Sequence, residues 1–453
     1  MMVAYILRAR HILLCLLLIL SRSVQGTNLN DGLPFTFLSF DPKHSGTSWK
    51  EVGETFFNPL EASHKILSKG KGVIAYLPKG KLPPDYQRTF QISEAGDLEL
   101  VVDFMLSPNA GFVLTLGDSF EIALNDSPSD TGLSGVVTTT GFTYPPHSDV
   151  TKAPGLWQTI RFVVRNTGSS LILLEKVYLN GVLIHQGIGD PRKVHPEGGT
   201  LSLTVRGRDK PFSIRNICYR RYENIVEPDQ KRSKAVFGEI VLPVTQNPVL
   251  LRSFIMHNSI KKTHVLSTGY KEGINMTYNL AKGAPIGVWR GLFLKTNNMW
   301  DQRGLSQIAE PLGNLLFLPD TPSLSLLTGQ EMVWPDSSTR YSDYRYRGYA
   351  LDEAGHPEFL YTIGDVPVTE KFHPQAAGHI LERTFIVDSQ QVPGLWCRAA
   401  VGRVRKVAKG LYSINDYQYL IKTKGEVSIR KMGDQEELLL ALKGKGLTYA
   451  IIY

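Results

Sequence analysis

Residues 120–127 read FEIALNDS and carry two carboxylates, Glu121 and Asp126, in one short segment. Carboxylates near one another can divide acid and base work, because repulsion between like charges raises one pKa toward neutrality. On a regular strand Glu121, Ala123 and Asn125 share one face and Asp126 points to the other. A bulge would bring Glu121 and Asp126 to the same concave face. The plain structural alternative has a solvent-facing Glu121, with Asp126 opening an Asx turn at Ser127 and Pro128.

Other residues offer less. His147 and His185 stand near turns, where lone histidines are mostly surface residues. Trp289, Arg290, Trp300, Asp301 and Arg303 lie close together in sequence. Arg with Trp can hold a sugar or an anion, but an Arg–Asp pair beside two core tryptophans is the preferred reading. No His/Cys/Asp group has the spacing of a strong metal motif, so the expected metal-ligand set is none. There is no phosphate loop or nucleophile elbow, and the absence of C-x-x-C-H excludes covalent haem.

The elements that must position these groups read as strands. LELVVDFML (Leu98 to Leu106), GFVLTLG and FEIALND are short apolar runs separated by turn residues. WQTIRFVVRN, GTLSLTVRG and FSIRNICYRRY continue the pattern. In VYLNGVLI, Asn180-Gly181 predicts a hairpin, since both residue types tolerate positive φ. Pro-Gly-Leu-Trp occurs at Pro154–Trp157 and again at Pro393–Trp396 with unrelated flanks. This predicts one turn-to-strand device used twice, not an internal repeat.

The polar stretch 223–236 predicts a linker between a domain at 27–222 and a second at 237–453. In the second, GEIVLPV and LLRSFIM read as strands, 319–343 as an extended loop, and EELLLALKG with LTYAIIY as a terminal hairpin. The expected class is all-β: a jelly-roll sandwich followed by a β-rich, sandwich-like domain.

Residues 1–26 have the charged start and apolar centre of a secretory signal peptide, which predicts a secreted or periplasmic protein. The apolar centre is too short to span a bilayer, and no later run approaches eighteen apolar residues. The formal charge is +8, but the basic residues are dispersed, so a nucleic-acid partner is not expected. Cys218 and Cys397 are expected as buried thiols rather than a disulfide.

Residues 35–222 resemble the 3-keto-disaccharide hydrolase domain family. The resemblance rests on DLELVVDFML, NAGFVL, FEIALNDS, APGLWQTIRF, VYLNGVLIHQG and FSIRNICYR, in that order. It implies a concanavalin-like jelly roll that acts on 3-keto disaccharides or related glycosides. It implies Glu121 and Asp126 as catalytic carboxylates, and Asp209, standing where the family carries His, as a third. Asn109, Trp157, Arg208 and Arg215 are the implied substrate-binding residues. The ketone acidifies the neighbouring C2–H, so the site needs a base, a group to hold the enolate oxygen and an acid for the leaving group. A divalent cation could fill the second role.

The second half resembles β-rich accessory regions of secreted dehydrogenase and cytochrome-type proteins, which implies a secreted dehydrogenase as a partner. Two other readings follow: a glycan-binding module without catalysis, and an accessory subunit of a sugar dehydrogenase system.

Overall fold

The computed structural model describes residues 34–40, 48–80, 83–92, 96–126, 133–166, 172–190, 201–221, 239–300, 307–329, 332–335, 343–375, 378–387 and 393–453. The expected signal peptide at 1–26 and the linker at 223–236 lie outside these residues.

The chain is nearly all-β, and among the described residues every strand pairing within the sheets is antiparallel. Two sheets use residues 36–221. The larger runs in the order Val182–Gly189, Ile172–Leu179, Gln158–Asn166, Leu98–Leu106, Phe212–Arg221, His64–Tyr76 and Trp49–Phe57. The smaller runs Gln87–Ile92, Leu201–Gly207, Gly111–Leu116, Phe120–Asn125, Val136–Thr139 and Phe142–Tyr144.

Alternation explains the sandwich. Leu98, Leu100, Val102, Phe104 and Leu106 point inward and meet Phe112, Leu114, Ile122, Leu124 and Val205 of the opposing sheet. The rings of Phe112 and Phe212 stack at 4.5 Å across this core.

The larger sheet is buried on its outer face as well. Val52, Phe56, Val73, Ala75 and Met105 join a cluster that continues into Tyr278, Leu411 and Tyr417 of the C-terminal half. Glu54 lies at this seam and accepts hydrogen bonds from Tyr417, at 2.9 Å, and from Arg405.

Among the described residues the C-terminal half holds three more sheets. One contains Val249–His257, Ile260–Gly269, Ile274–Asn279 and Ala284–Lys295. An eight-stranded sheet begins Tyr344–Leu351, Pro357–Ile363, Val366–Pro374, Ile380–Val387 and Gly446–Ile452. A four-stranded sheet contains Leu324–Leu326, Leu395–Gly402, Gln435–Ala441 and Val427–Met432.

Local signals held where one turn decided the outcome. Asn180 and Gly181 have φ of 53° and 84° and join paired strands. Gly155 and Gly394, the two Pro-Gly glycines, have φ of 77° and 78°. A Cβ at either would run into a backbone carbonyl, that of Phe57 or Leu327. Cys218 and Cys397 are buried and neither forms a disulfide.

Three expectations fail. Val241 makes only an isolated bridge to Lys295, so GEIVLPV forms no strand among its described residues. The expected loop at 319–343 contains the strand Leu324–Leu326, which pairs with Leu395–Cys397. The terminal hairpin does not form, because Gln435–Ala441 and Gly446–Ile452 belong to different sheets. Leu438 and Leu440 on one strand share a core cluster with Leu447, Tyr449 and Ile451 on the other. The turn closes with one antiparallel bridge, Lys443 to Gly446, and the two strands then part into different sheets.

Candidate functional site

The smaller N-terminal sheet shows an outward face crossed by Thr89, Thr204, Thr115, Glu121 and Thr138 in register. Phe120, Ile122 and Leu124 of the central strand are fully buried, and Glu121 between them is half exposed. Arg206 reaches over the intervening strand to place Nη2 2.5 Å from Glu121 Oε1. Sequence reading passed over Arg206, although LTVRG puts Thr204 and Arg206 on one face by simple alternation.

No bulge interrupts this strand; its pairing from Gly111↔Asn125 to Leu116↔Phe120 is continuous. Glu121 and Asp126 therefore stand about 16 Å apart along the extended chain and do not form a like-charge pair. At the far end Asn125 is covered: Arg208 Nη1 lies 3.4 Å from its Oδ1, and Ser134 Oγ accepts from its amide at 3.1 Å. The Arg208 carbonyl accepts from Tyr76 Oη at 2.9 Å, and Asp209 beside it is exposed.

Asp126 turns into the seam between the halves. Its Oδ2 accepts from the Asn109 amide at 2.8 Å, an amide presented by a left-handed Asn109 with φ of 60°. Burial pushes the Asp126 carboxyl up to about 6, against the pull of the Asn109 amide and Arg290, while Asp149 adds to the rise. The repulsion expected from Glu121 thus comes from Asp149.

Arg290 donates to Asp149 Oδ2 at 2.6 Å and to the Gly378 carbonyl. Gly378 has φ of 66°, and a Cβ there would strike the Glu272 carbonyl and the Arg290 guanidinium. Burial works to raise Asp149, but Arg290 and the Thr151 amide outweigh it and leave Asp149 below its ordinary value. Burial and Arg290 together drive His379 down to about 4, so its imidazole is neutral at pH 7. Asn314 ties the seam further, accepting from the Arg290 amide at 2.8 Å and donating to the Val150 carbonyl at 2.7 Å. Arg290 pairs with an aspartate, but that acid is Asp149 of the other half; Asp301 and Arg303, the other charged members of the expected group, lie outside the described residues.

Trp157 and Arg215 are elsewhere. Trp157 is only 8 % exposed and packs in the cluster shared by the two halves. The Arg215 guanidinium lies 3.9 Å from the centre of its ring and pairs with Asp416 at 2.8 Å. Arg215 belongs to the larger sheet, whose outer face points away from that of Glu121. A sandwich core about 10 Å thick separates the two faces, so one small sugar cannot touch both sets. His185 is buried, with Nε2 2.7 Å from the Gly135 carbonyl, and burial lowers its pKa.

One group of possible metal ligands is present among the described residues: Asp352, His356 and His373. They are far from the N-terminal carboxylates in sequence, and no short motif announces them.

The buried Asp126 supports an expected result. Its folded pKa of about 6 lies above the ordinary 3.8, so the folded protein binds more protons in between. Stability from this group is therefore full below about pH 4 and lost as pH rises through about 6. Asp126→Asn keeps an acceptor for the Asn109 amide and removes the buried charge. The variant will be more stable by up to about 3 kcal/mol at neutral pH, with the gain vanishing below about pH 4. Urea denaturation across this range tests it; a gain that does not vary with pH would assign it to another cause.

Residues 39–220 match the model of a family described as a 3-keto-alpha-glucoside-1,2-lyase-like domain, which covers less than half of the chain. No curated protein matches the sequence. Among solved structures, one described as "a putative glycosyl hydrolase from Parabacteroides distasonis" is 16 % identical with a TM-score of 0.24, covering 39 % of this chain and 89 % of that one. The binding domain of botulinum neurotoxin DC, in complex with SialylT, is 9 % identical with a TM-score of 0.24, covering 89 % of each chain.

Proposed function

We propose that residues 39–220, with their match to the 3-keto-alpha-glucoside-1,2-lyase-like domain, form a carbohydrate-active unit. On this reading it acts on 3-keto disaccharides or related glycosides at the outer face of the smaller sheet. The observation that carries the reading is the exposed Glu121–Arg206 pair, 2.5 Å apart on a threonine-lined face.

In a 3-keto sugar the acidic C2–H and the C3 carbonyl oxygen are on adjacent carbons. A carboxylate and a guanidinium held side by side can address both at once. Arg206 donates to the C3 oxygen as negative charge develops there. Glu121 takes the C2 proton. The electron pair forms the C1–C2 double bond and the C1–O bond breaks. The departing oxygen takes up a proton, and addition of water across the new double bond completes a net hydrolysis. Exchanging Arg206 from Glu121 to substrate frees the carboxylate when the ketone is in place. A cleaved signal peptide at 1–26 would put this chemistry outside the cytoplasm, and residues 237–453 would form the accessory domain.

The test is turnover of 3-keto-trehalose by the tag-free mature protein and by Glu121→Gln. The variant should lose at least about 100-fold in kcat, the lower end of a general base's contribution. Its Tm should barely change, since an exposed ion pair contributes about 0–1 kcal/mol. Full activity in Glu121→Gln would move the base elsewhere. A folded wild type that binds glycans without turnover would establish the binding-module reading instead.

A further inference from the structure

We infer that the C-terminal half carries a divalent transition-metal site formed by Asp352, His356 and His373, with zinc as the expected ion. It is separate from the sugar face proposed above, and neither reading depends on the other.

Sheet register builds this site. Leu351 pairs with Pro357 in one ladder, and Glu358 with Lys371 in the next. Continuing the first ladder by one step sets Asp352 opposite His356, and the Asp352 amide donates to the His356 carbonyl at 3.0 Å. Continuing the second by two steps sets His356 opposite His373. The three residues thus form a row at one end of the sheet, Asp352 and His356 in the turn that joins two strands and His373 on the next strand. Glu382 extends the row as the register partner of His373 on the next strand.

The carboxylate is oriented before any ion arrives. Asp352 Oδ1 accepts from the Ala354 and His356 amides at 2.9 and 2.8 Å, which closes the turn. Gly355 supports that turn with φ of 84°. Oδ2 is left facing both imidazoles, 3.2 Å from His356 Nδ1 and 3.7 Å from His373 Nε2. All three ligand atoms lie within 4.8 Å of one another. Ligand atoms bound to zinc in a tetrahedron are about 3.3 Å apart, which follows from bond lengths of about 2.0–2.1 Å. An ion can therefore enter between these atoms with little movement.

The donor types select the ion. Two imidazoles and one carboxylate suit zinc and its first-row neighbours, whereas calcium and magnesium prefer oxygen ligands throughout. Backbone amides holding the far carboxylate oxygen are the kind of outer support that metal ligands need. His356 is partly buried and packs near the Tyr270 ring, with centroids 5.7 Å apart. His373 is 43 % exposed, which leaves the fourth position open to solvent.

The experiment uses the tag-free mature chain, stripped with chelator and titrated with zinc by calorimetry. Cobalt substitution provides a spectroscopic check. Wild type should bind one equivalent, and the cobalt form should show the visible absorption of a four-coordinate site with nitrogen ligands. His373→Ala removes a half-exposed side chain, so it should melt like wild type in chelator. It should lose at least about 100-fold in zinc affinity, more than the loss of an outer-shell partner. Asp352→Asn should lose affinity too. Less than one equivalent in wild type, or wild-type affinity in the His356→Ala/His373→Ala double variant, would overturn the site. If a variant fails to fold, the wild-type cobalt spectrum decides: a six-coordinate, all-oxygen spectrum refutes the assignment.

Discussion

Glu370→Gln will destabilise the protein by about 3–5 kcal/mol, the range for breaking a buried ion pair from one side. Glu370 is fully buried, and Arg383 is nearly so. Glu370 Oε1 accepts from Arg383 Nε at 2.7 Å and Nη2 at 2.6 Å. Its Oε2 accepts from Tyr278 and Tyr361, both at 2.8 Å, and Arg383 Nη1 donates to Tyr449 at 2.7 Å. Burial works against the charge on Arg383, but Glu370 and Tyr449 outweigh it and hold the guanidinium protonated well above its ordinary range. Glutamine leaves that cation without a counter-charge and turns one acceptor oxygen into an NH2 facing donors. Urea denaturation should show a lower midpoint at unchanged slope. Replacing both partners, Glu370→Leu with Arg383→Met, should recover part of the loss, and adding Tyr278→Phe and Tyr361→Phe, which remove the hydroxyls that then lack their acceptor, should recover more. A loss below about 1 kcal/mol in the single variant would mean that water reaches the cation, contrary to the packing.

Arg290→Met is the second large effect, again about 3–5 kcal/mol. It leaves the partly buried Asp149 without its cation and removes the donor to the Gly378 carbonyl. Because these partners come from both halves, the loss falls on their docking as well as on the C-terminal fold. The pH dependence identifies the mechanism. Asp149 is held below its ordinary value with Arg290 present, so its contribution is in place above about pH 4 and disappears as pH falls through the folded pKa. The difference between wild type and Arg290→Met should therefore be largest near neutrality and shrink in acid. Asp149→Asn in the Arg290→Met background should restore part of the stability. A difference that stays constant down to about pH 3 would show that lost packing, not the ion pair, is responsible.

Much of the N-terminal fold is legible because the controlling physics is local. The alternation in Leu98–Leu106 assigns each side chain to a face without reference to any partner strand. Asn180-Gly181 and the two Pro-Gly turns need positive φ, and residue type alone supplies it. The buried thiols are the outcome expected from sequence, since cysteine packs as a small apolar residue. Alternation also puts Glu121 on an outward face, and the structure keeps it there.

What alternation cannot specify is which strand lies beside which, and what covers a face. Gln435–Ala441 and Gly446–Ile452 look like hairpin partners, yet they enter different sheets because their leucines meet across a shared core. A tryptophan at a strand start is expected to fill a core, and Trp157 does, but sequence does not say that the second half of the chain covers it and pairs Arg215 with Asp416. Asp126 is adjacent to the Glu121 strand in sequence, but its proton affinity is set by Asn109, Asp149 and Arg290. Asp352 and His356 meet in one local turn, but His373 joins them only through the register of the next strand. A face follows from a period of two residues, whereas a neighbour follows from the packing of the whole chain. So the residue types available for chemistry were written in the sequence, and their grouping into a threonine-lined face with Glu121 and Arg206, a charged seam and a His–Asp row was decided by the tertiary structure.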